Sequence, residues 1–308
     1  MTADQGPGRV LGHTPLLDLS GLTGPDDLAG ISAIERVATV VVPRSLAAAY
    51  TAIPTSAVAN TIFVPDGATV RSHTGSLSVA GDDLGGENDV LIVTGMLIIT
   101  SPITGSLPGL IHVTGSVLAP RGSEAKIGKV LEGTGAVIQY RWADDQDITV
   151  LSGQLRVSAA TLANPAGTAA DVLILAGQAV LTGTVSEVGY RQILTAGQAA
   201  FPESARAQVE PRLVSQGQLA WYRSQEPRVF YGDTTVTAEF LDLLDEKASI
   251  VAFGDLTVAD DVTGEALRAK VSDLVLFGDA TAPPSVVPTL QFLATDAYGS
   301  IRSAGVAD

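Results

Sequence analysis

A Thr-Gly pair returns at a fixed interval in the middle of this chain. Thr74-Gly75, Thr94-Gly95, Thr114-Gly115 and Thr134-Gly135 lie 20 residues apart, and Leu77, Leu97, Val117 and Val137 follow two positions after each glycine. A chain that winds into stacked coils meets the same environment once per turn, so a fixed period of this length marks a solenoid rather than a globule. The glycine position can be followed through Ala38, Asn60, Gly75, Gly95, Gly115, Gly135, Gly153, Gly177, Gly197, Gly217, Ala238, Gly254 and Gly278. Proline recurs five residues later at Pro43, Pro65, Pro120, Pro202 and Pro283. Proline cannot donate to a strand ladder, so it ends a short strand at a corner. The glycine suits a kink where a side chain would clash or φ is positive.

These marks predict a mainly β chain. It is read as a single-stranded β-solenoid, or parallel β-helix, of coils about 20 residues long, some thirteen or fourteen in one stack. Residues 1–15 read as an N-terminal tail, 16–290 as the solenoid, and 291–308 as a C-terminal cap or tail, or an edge strand used in assembly. Within the solenoid, 16–70 is more helical and 71–290 is glycine-kinked. Helical spacing is expected at Asp26–Glu35 and Ser45–Ile53, with Asp26 and Ser45 as N-caps. Return segments Ser123–Leu131, Glu203–Glu210 and Thr263–Val271 also suit short helices. Aromatic residues are only 5% of the chain, which fits narrow coils filled by Val, Ile, Leu and Ala.

Charge and residue types narrow the chemistry. The net charge is −15 with four lysines, so nucleic acid and anionic membranes are poor partners. The chain has no cysteine, which excludes disulfides and thiolate metal sites. The first residues lack the basic and apolar pattern of a secretory signal, and no apolar run is long enough to span a bilayer, so a cytoplasmic location is expected. The Arg-over-Lys, Ala- and Gly-rich usage looks bacterial. The three histidines, His13, His73 and His112, are scattered, and no metalloprotease, nucleophile-elbow or phosphate-loop motif is present.

Four constellations remain. The threonine column Thr74, Thr94, Thr114 and Thr134 reads as a stabilising ladder; an ice-facing array needs a second column, and Ser72, Ile92, His112 and Glu132 do not supply one. The loop around Asp82, Asp83, Glu87 and Asp89 is a candidate calcium site, against a solvated loop as the simpler reading. Glu124 and Asp144 each lie nine residues after a slot glycine; stacked in register, they would form a carboxylate pair suited to glycan cleavage, with Arg121, Lys126, Arg141 and Arg156 nearby. Trp221, Tyr222, Phe230 and Tyr231 form the densest aromatic patch, either core filling or a partner interface.

Residues 26–66, where helix and strand alternate, resemble leucine-rich-repeat coils, with Asn60 alone in the place of that family's asparagine ladder. The glycine-kinked strands from Gly75 to Gly217 resemble a bactofilin-type β-helix, a family of polymerising cytoskeletal proteins. Neither resemblance implies a catalytic residue or a cofactor. The expected function is a non-enzymatic structural or scaffold protein that binds a protein partner or itself, as a homo-oligomer or filament, through a solenoid face or end. The alternative is a carbohydrate-active β-helix using Glu124 and Asp144.

Overall fold

The structure, a computed structural model, describes residues 9–133, 135–224 and 226–304. The chain is mainly β, with 49% strand and 18% helix. It divides into two compact units, Met1–Arg141 and Trp142–Asp308. The strands belong to five parallel sheets rather than one continuous ladder.

In the first unit, β1 (Arg9–Asp18), β2 (Ile31–Pro43), α1 (Ala47–Thr51) and β3 (Thr55–Val64) give a three-stranded sheet in chain order. Residues 65–68 then lead to β4 (Thr69–Val79) and β5 (Asp89–Ile99). From there each coil splits into two short strands: β6 (Leu110–Val113) and β7 (Val117–Pro120), then α2 (Glu124–Ile127), then β8 (Leu131–Gly133) and β9 (Val137–Tyr140). β6 pairs with the first half of β5 and β7 with the second half.

The second unit begins with a four-stranded sheet of β10 (Ile148–Ser158), β11 (Val172–Thr182), β12 (Gln192–Pro202) and β13 (Leu213–Tyr222), with α3 (Ala159–Leu162) and α4 (Arg206–Val209) on the returns. Residues 223–227 lead to the split coils. These run β14 (Arg228–Phe230), β15 (Thr234–Val236), α5 (Ala238–Asp242), β16 (Ala248–Ala252), β17 (Leu256–Val258), α6 (Gly264–Lys270), β18 (Val271–Leu276), β19 (Ala280–Ala282), α7 (Val287–Leu293), β20 (Ala294–Ala297) and β21 (Ile301–Ser303). Two sheets result, β14-β16-β18-β20 and β15-β17-β19-β21.

The slot glycines set the register. Gly75 pairs with Gly95, and Gly153, Gly177, Gly197 and Gly217 pair in succession. All six have positive φ, from 99° at Gly75 to 135° at Gly95. A methyl group on Gly177, Gly197 or Gly217 would overlap the carbonyl oxygen of the glycine one coil before, and the same holds for Gly95, Gly115 and Gly135. So glycine is required twice over: for the kink and for backbone-to-backbone approach.

Several expectations need correction. The kink of the first sheet is at His13, Arg36 and Ala57, with φ of 60°, 54° and 53°, and the register stacks these three. Ala38 and Asn60 are therefore ordinary strand positions. The kink of the β14–β15 coil is at Gly232, whose backbone Gly254 abuts; Ala238 begins α5. The helix expected at 26–35 is one 3-10 turn, Pro25–Leu28, followed by β2. Pairing on both sides overrides the local helical spacing there. Ser45 does not cap a helix; its hydroxyl donates to Asp66 at 2.9 Å. Arg9–Asp18 is a strand rather than a tail. Residues 287–303 repeat the helix-and-two-strand form of the coils before them.

Each block has a core beneath its strands and shares a second core with its neighbour. In the first unit Val40 and Val42 face one core and Val41 the other, where it meets Ile62, Val64, Val90 and Ile92. In the second, Leu173, Leu175 and Phe201 face inward, while Val180, Ala200 and Tyr222 meet Val251, Phe253, Val275 and Phe277. Burial on both faces explains the unbroken apolar runs of β2 and β11. Each fully buried Leu, Ile or Val contributes about 1.5–3 kcal/mol.

The two roles of glycine can be separated. Gly75 needs its positive φ, but nothing lies within 4 Å of an added Cβ; Gly197 has both constraints. Gly197→Ala is expected to cost about 3 kcal/mol or more, and Gly75→Ala about 1–2 kcal/mol. Chemical denaturation of both variants checks the difference; equal losses would remove the stacking role.

Candidate functional site

Several of the residues singled out for chemistry hold local structure. Glu124 opens α2 in the first unit. Asp144 belongs to the second unit and accepts from the Trp142 indole at 3.3 Å. Of the cations proposed beside them, Lys126 donates to the Ile103 carbonyl and Arg156 pairs with Glu226 at 3.0 Å. In the candidate calcium loop, Asp82 is turned toward the next coil. Its carboxylate accepts from Thr104 Oγ1 at 2.6 Å, from the Thr104 amide at 3.0 Å and from the Gly105 amide at 2.8 Å. The Thr104 hydroxyl, followed by these amides, holds the Asp82 carboxyl below its ordinary range. Asp89 caps the Gly86 amide at 2.9 Å. Asp83 starts no comparable network, and among the described residues Glu87 and its neighbours form no group of three metal-ligating side chains.

The threonine column survives as register: Thr74 lies opposite Thr94, and the Thr114 amide bonds back to the Val93 carbonyl. Thr134 lies outside the described residues. His112 sits beside Asn60, Nε2 to Nδ2 at 3.1 Å. Burial pushes its pKa down, and Glu132 opposes this. His73 contacts the Ser76 carbonyl at 3.2 Å.

The aromatic patch is dispersed. Trp221 is 9% exposed, packs on Phe201 at 5.6 Å and lies under the Arg206 guanidinium at 5.0 Å. Tyr222 is fully buried and donates to the Leu181 carbonyl; burial raises its pKa. Tyr140 does the same in the first unit, donating to Ile99 at 2.6 Å. Phe230 packs on Phe240. Trp221 and Tyr222 thus offer no exposed aromatic surface.

Two ladders carry the geometry that the sequence reading passed over. Gln154, Gln178, Gln198 and Gln218 each follow a stacked glycine. Their amides link in one direction, at 3.3, 3.0 and 2.8 Å. The signal was a Gly-Gln pair in four successive coils. The second ladder is an aromatic-Gly-Asp triplet at Tyr231-Gly232-Asp233, Phe253-Gly254-Asp255 and Phe277-Gly278-Asp279, closing with Tyr298-Gly299-Ser300. The rings stack almost parallel, with centroids 5.3, 4.8 and 5.5 Å apart. Each Asp accepts the amide of the matching residue one coil later: Asp255 to Asp233 at 3.0 Å, Asp279 to Asp255 at 2.9 Å, Ser300 to Asp279 at 2.7 Å. The Ser300 amide, then its hydroxyl, lowers the Asp279 pKa.

The edges of these sheets are treated unequally. β13 would expose a row of amides, a template for another strand. Side chains cap its second half and the two residues that follow. Tyr298 accepts from the Leu219 amide at 2.9 Å, Asp296 from Trp221 at 3.0 Å, Asp273 from Arg223 at 3.1 Å and Ser249 from Ser224 at 2.8 Å. Among the described residues no side chain holds a backbone amide of β14 or β15, and an added Cβ on Gly232 would meet nothing within 4 Å. On the far side, β20 and β21 are the outermost strands of their sheets, and Tyr298 is 45% exposed. A cleft of about 580 Å³ near the start of β14 is lined by Arg156, Glu226, Arg228, Asp245, Glu246 and Lys247. Its charges are of both signs, so it selects no ligand class.

Comparison with protein families, with curated proteins and with solved structures finds no match to this chain.

The most heavily bonded carboxylate among the described residues is structural. Asp171, 4% exposed, accepts from Asn164 Nδ2 at 2.9 Å, the Thr168 amide at 2.8 Å, the Asp147 amide at 3.1 Å and Thr168 Oγ1 at 2.8 Å. Asn164 first, then the Thr168 amide, drives its pKa far below the carboxylate range. A depressed pKa contributes stability above the unfolded value near about 4, and that stability is lost as pH falls toward the folded value. The stability gap between wild type and Asp171→Asn should therefore be full at pH 7 and shrink below about pH 4. Urea melts of both proteins across pH check this; a gap independent of pH would reject it.

Proposed function

We propose that this is a non-catalytic structural protein. In this reading each sheet with its return segments is a short single-stranded β-solenoid, and the protein works by offering solenoid edges to a protein partner or to further copies of itself. The observation that carries the reading is the unequal treatment of edges. Tyr298 and Asp296 hold the Leu219 and Trp221 amides of β13, and Asp273 and Ser249 the next two amides of the chain, while among the described residues no side chain holds a backbone amide of β14 or β15. An unpaired strand edge is an adhesive surface that proteins otherwise blunt. The reactive residue types support the same conclusion by where they are used: Asp82, Asp171, Asp233, Asp255 and Asp279 hold backbone amides one turn or one coil away.

Sedimentation and negative-stain imaging across concentration, with affinity capture at low concentration, test this reading. Ordered assemblies or a stoichiometric protein complex are expected. A monomer at every concentration that captures no partner, yet cleaves a glycan in a manner lost in Glu124→Gln, would replace it with the carbohydrate-active alternative.

A further inference from the structure

We infer that the open edge of β14–β15 receives the β20–β21 coil of a second copy, so that copies join head to tail. The inference rests on the structural reading above and names its surface and its partner. Within the block, coil follows coil by three contacts: ring on ring, glycine on glycine, and an amide donated to an oxygen one coil back. The two end coils carry the halves of a fourth such step. At one end Tyr231 begins the ring stack, Gly232 has nothing behind it, and Asp233 is exposed. At the other, Tyr298 has one ring face on Phe277 and is still 45% exposed, Gly299 follows it, and Ser300 supplies a hydroxyl oxygen.

Continuing the internal register places Tyr231 on Tyr298 of the next copy, Gly232 on Gly299, the Asp233 amide on Ser300 Oγ, and Thr235 beside Arg302. The register fixes this, since Leu256 pairs with Thr234 and Ala280, and Ala280 with Ile301. Charge also matches. Arg302 already lowers the pKa of Asp279 one coil back, and in the joined copies its neighbour is Asp233. The edge of β13, held by Tyr298 and Asp296, cannot make such a step. A contact between two different surfaces of one molecule does not close on itself by two-fold symmetry, so it extends into a ring or an open filament.

The test is the concentration-dependent mass of the full chain by sedimentation equilibrium, comparing wild type, Gly232→Val and Gly75→Val. Gly232 has no positive φ and open space around it, so Gly232→Val should keep the wild-type melting temperature. It fills the place of the partner's Gly299 and should weaken association at least about tenfold, roughly 1.4 kcal/mol. Gly75→Val, strained at a positive φ, should lower the melting temperature and leave association below that temperature unchanged. If Gly232→Val folds poorly, a charge exchange replaces it. Thr235→Arg should weaken association by repelling Arg302, and adding Arg302→Glu should restore it. Association as strong in Gly232→Val and Thr235→Arg as in wild type overturns this surface and leaves the structural reading standing. Wild type that stays monomeric overturns self-assembly, and the broader reading then depends on capture of a different protein.

Discussion

Backbone stacked on backbone at glycine is the constraint on which the rest of this fold depends. Where Gly197 lies over Gly177, the carbonyl oxygen of one coil occupies the space a Cβ would need in the next. That approach forbids any slip of register, because a one-residue shift would drive a side chain into a carbonyl and turn every inward residue outward. Identical positions are then held one strand spacing apart, about 4.8 Å. Ladders follow as a consequence. Glutamine amides chain together because they cannot avoid meeting, and aromatic rings stack nearly parallel for the same reason. The first sheet makes its kink without glycine, at His13, Arg36 and Ala57, and carries a left-handed cost of about 1–2 kcal/mol at each.

The second determinant is the length of the connections. A return of nine or more residues with a helical turn, as in residues 203–212, brings the chain back to the start of the next parallel strand. The short links at 65–68 and 223–227 are too brief for that return. There the chain leaves one sheet and begins another, and the outer faces of the two sheets bury each other's Val, Ile and Phe. Ser224 and the amide of Arg223 are held along the second link by Ser249 and Asp273, the latter fully buried. Tyr298 and Asp296 finish the edge of β13 just before it, so a continuous row of polar contacts ends a stack and turns the chain.

Much of this was legible. The period gave parallel strands, the glycines from Gly75 to Gly135 and from Gly153 to Gly217 gave a stacking column within each unit, and short helices at 124–127, 206–209 and 264–270 fell inside the expected return segments. The failures have common physical causes. The helix expected at 26–35 lost to strand pairing on two sides. The triplet around Gly232 escaped because a 15-residue interval there broke the period, and Ala238 was taken in its place. The aromatic patch admits core filling or a partner interface from sequence, and Trp221 and Tyr222 fill cores, the latter beneath a second sheet that no local pattern announces.

What the sequence determined by itself was much of what repeats from strand to strand: parallel strands, the corner at proline, and, at the stacked glycines, the register and the kink. These depend on contacts between equivalent residues one period apart, and such contacts are written in the chain as periodicity. Only the tertiary structure decided where stacking stops, which strand faces are buried twice, and which edges are closed. Those outcomes depend on links too short to carry a return segment and on residues 50 to 80 positions apart, such as Leu219 and Tyr298 or Arg223 and Asp273. No local pattern records such a pairing, because it exists only once the sheets have packed.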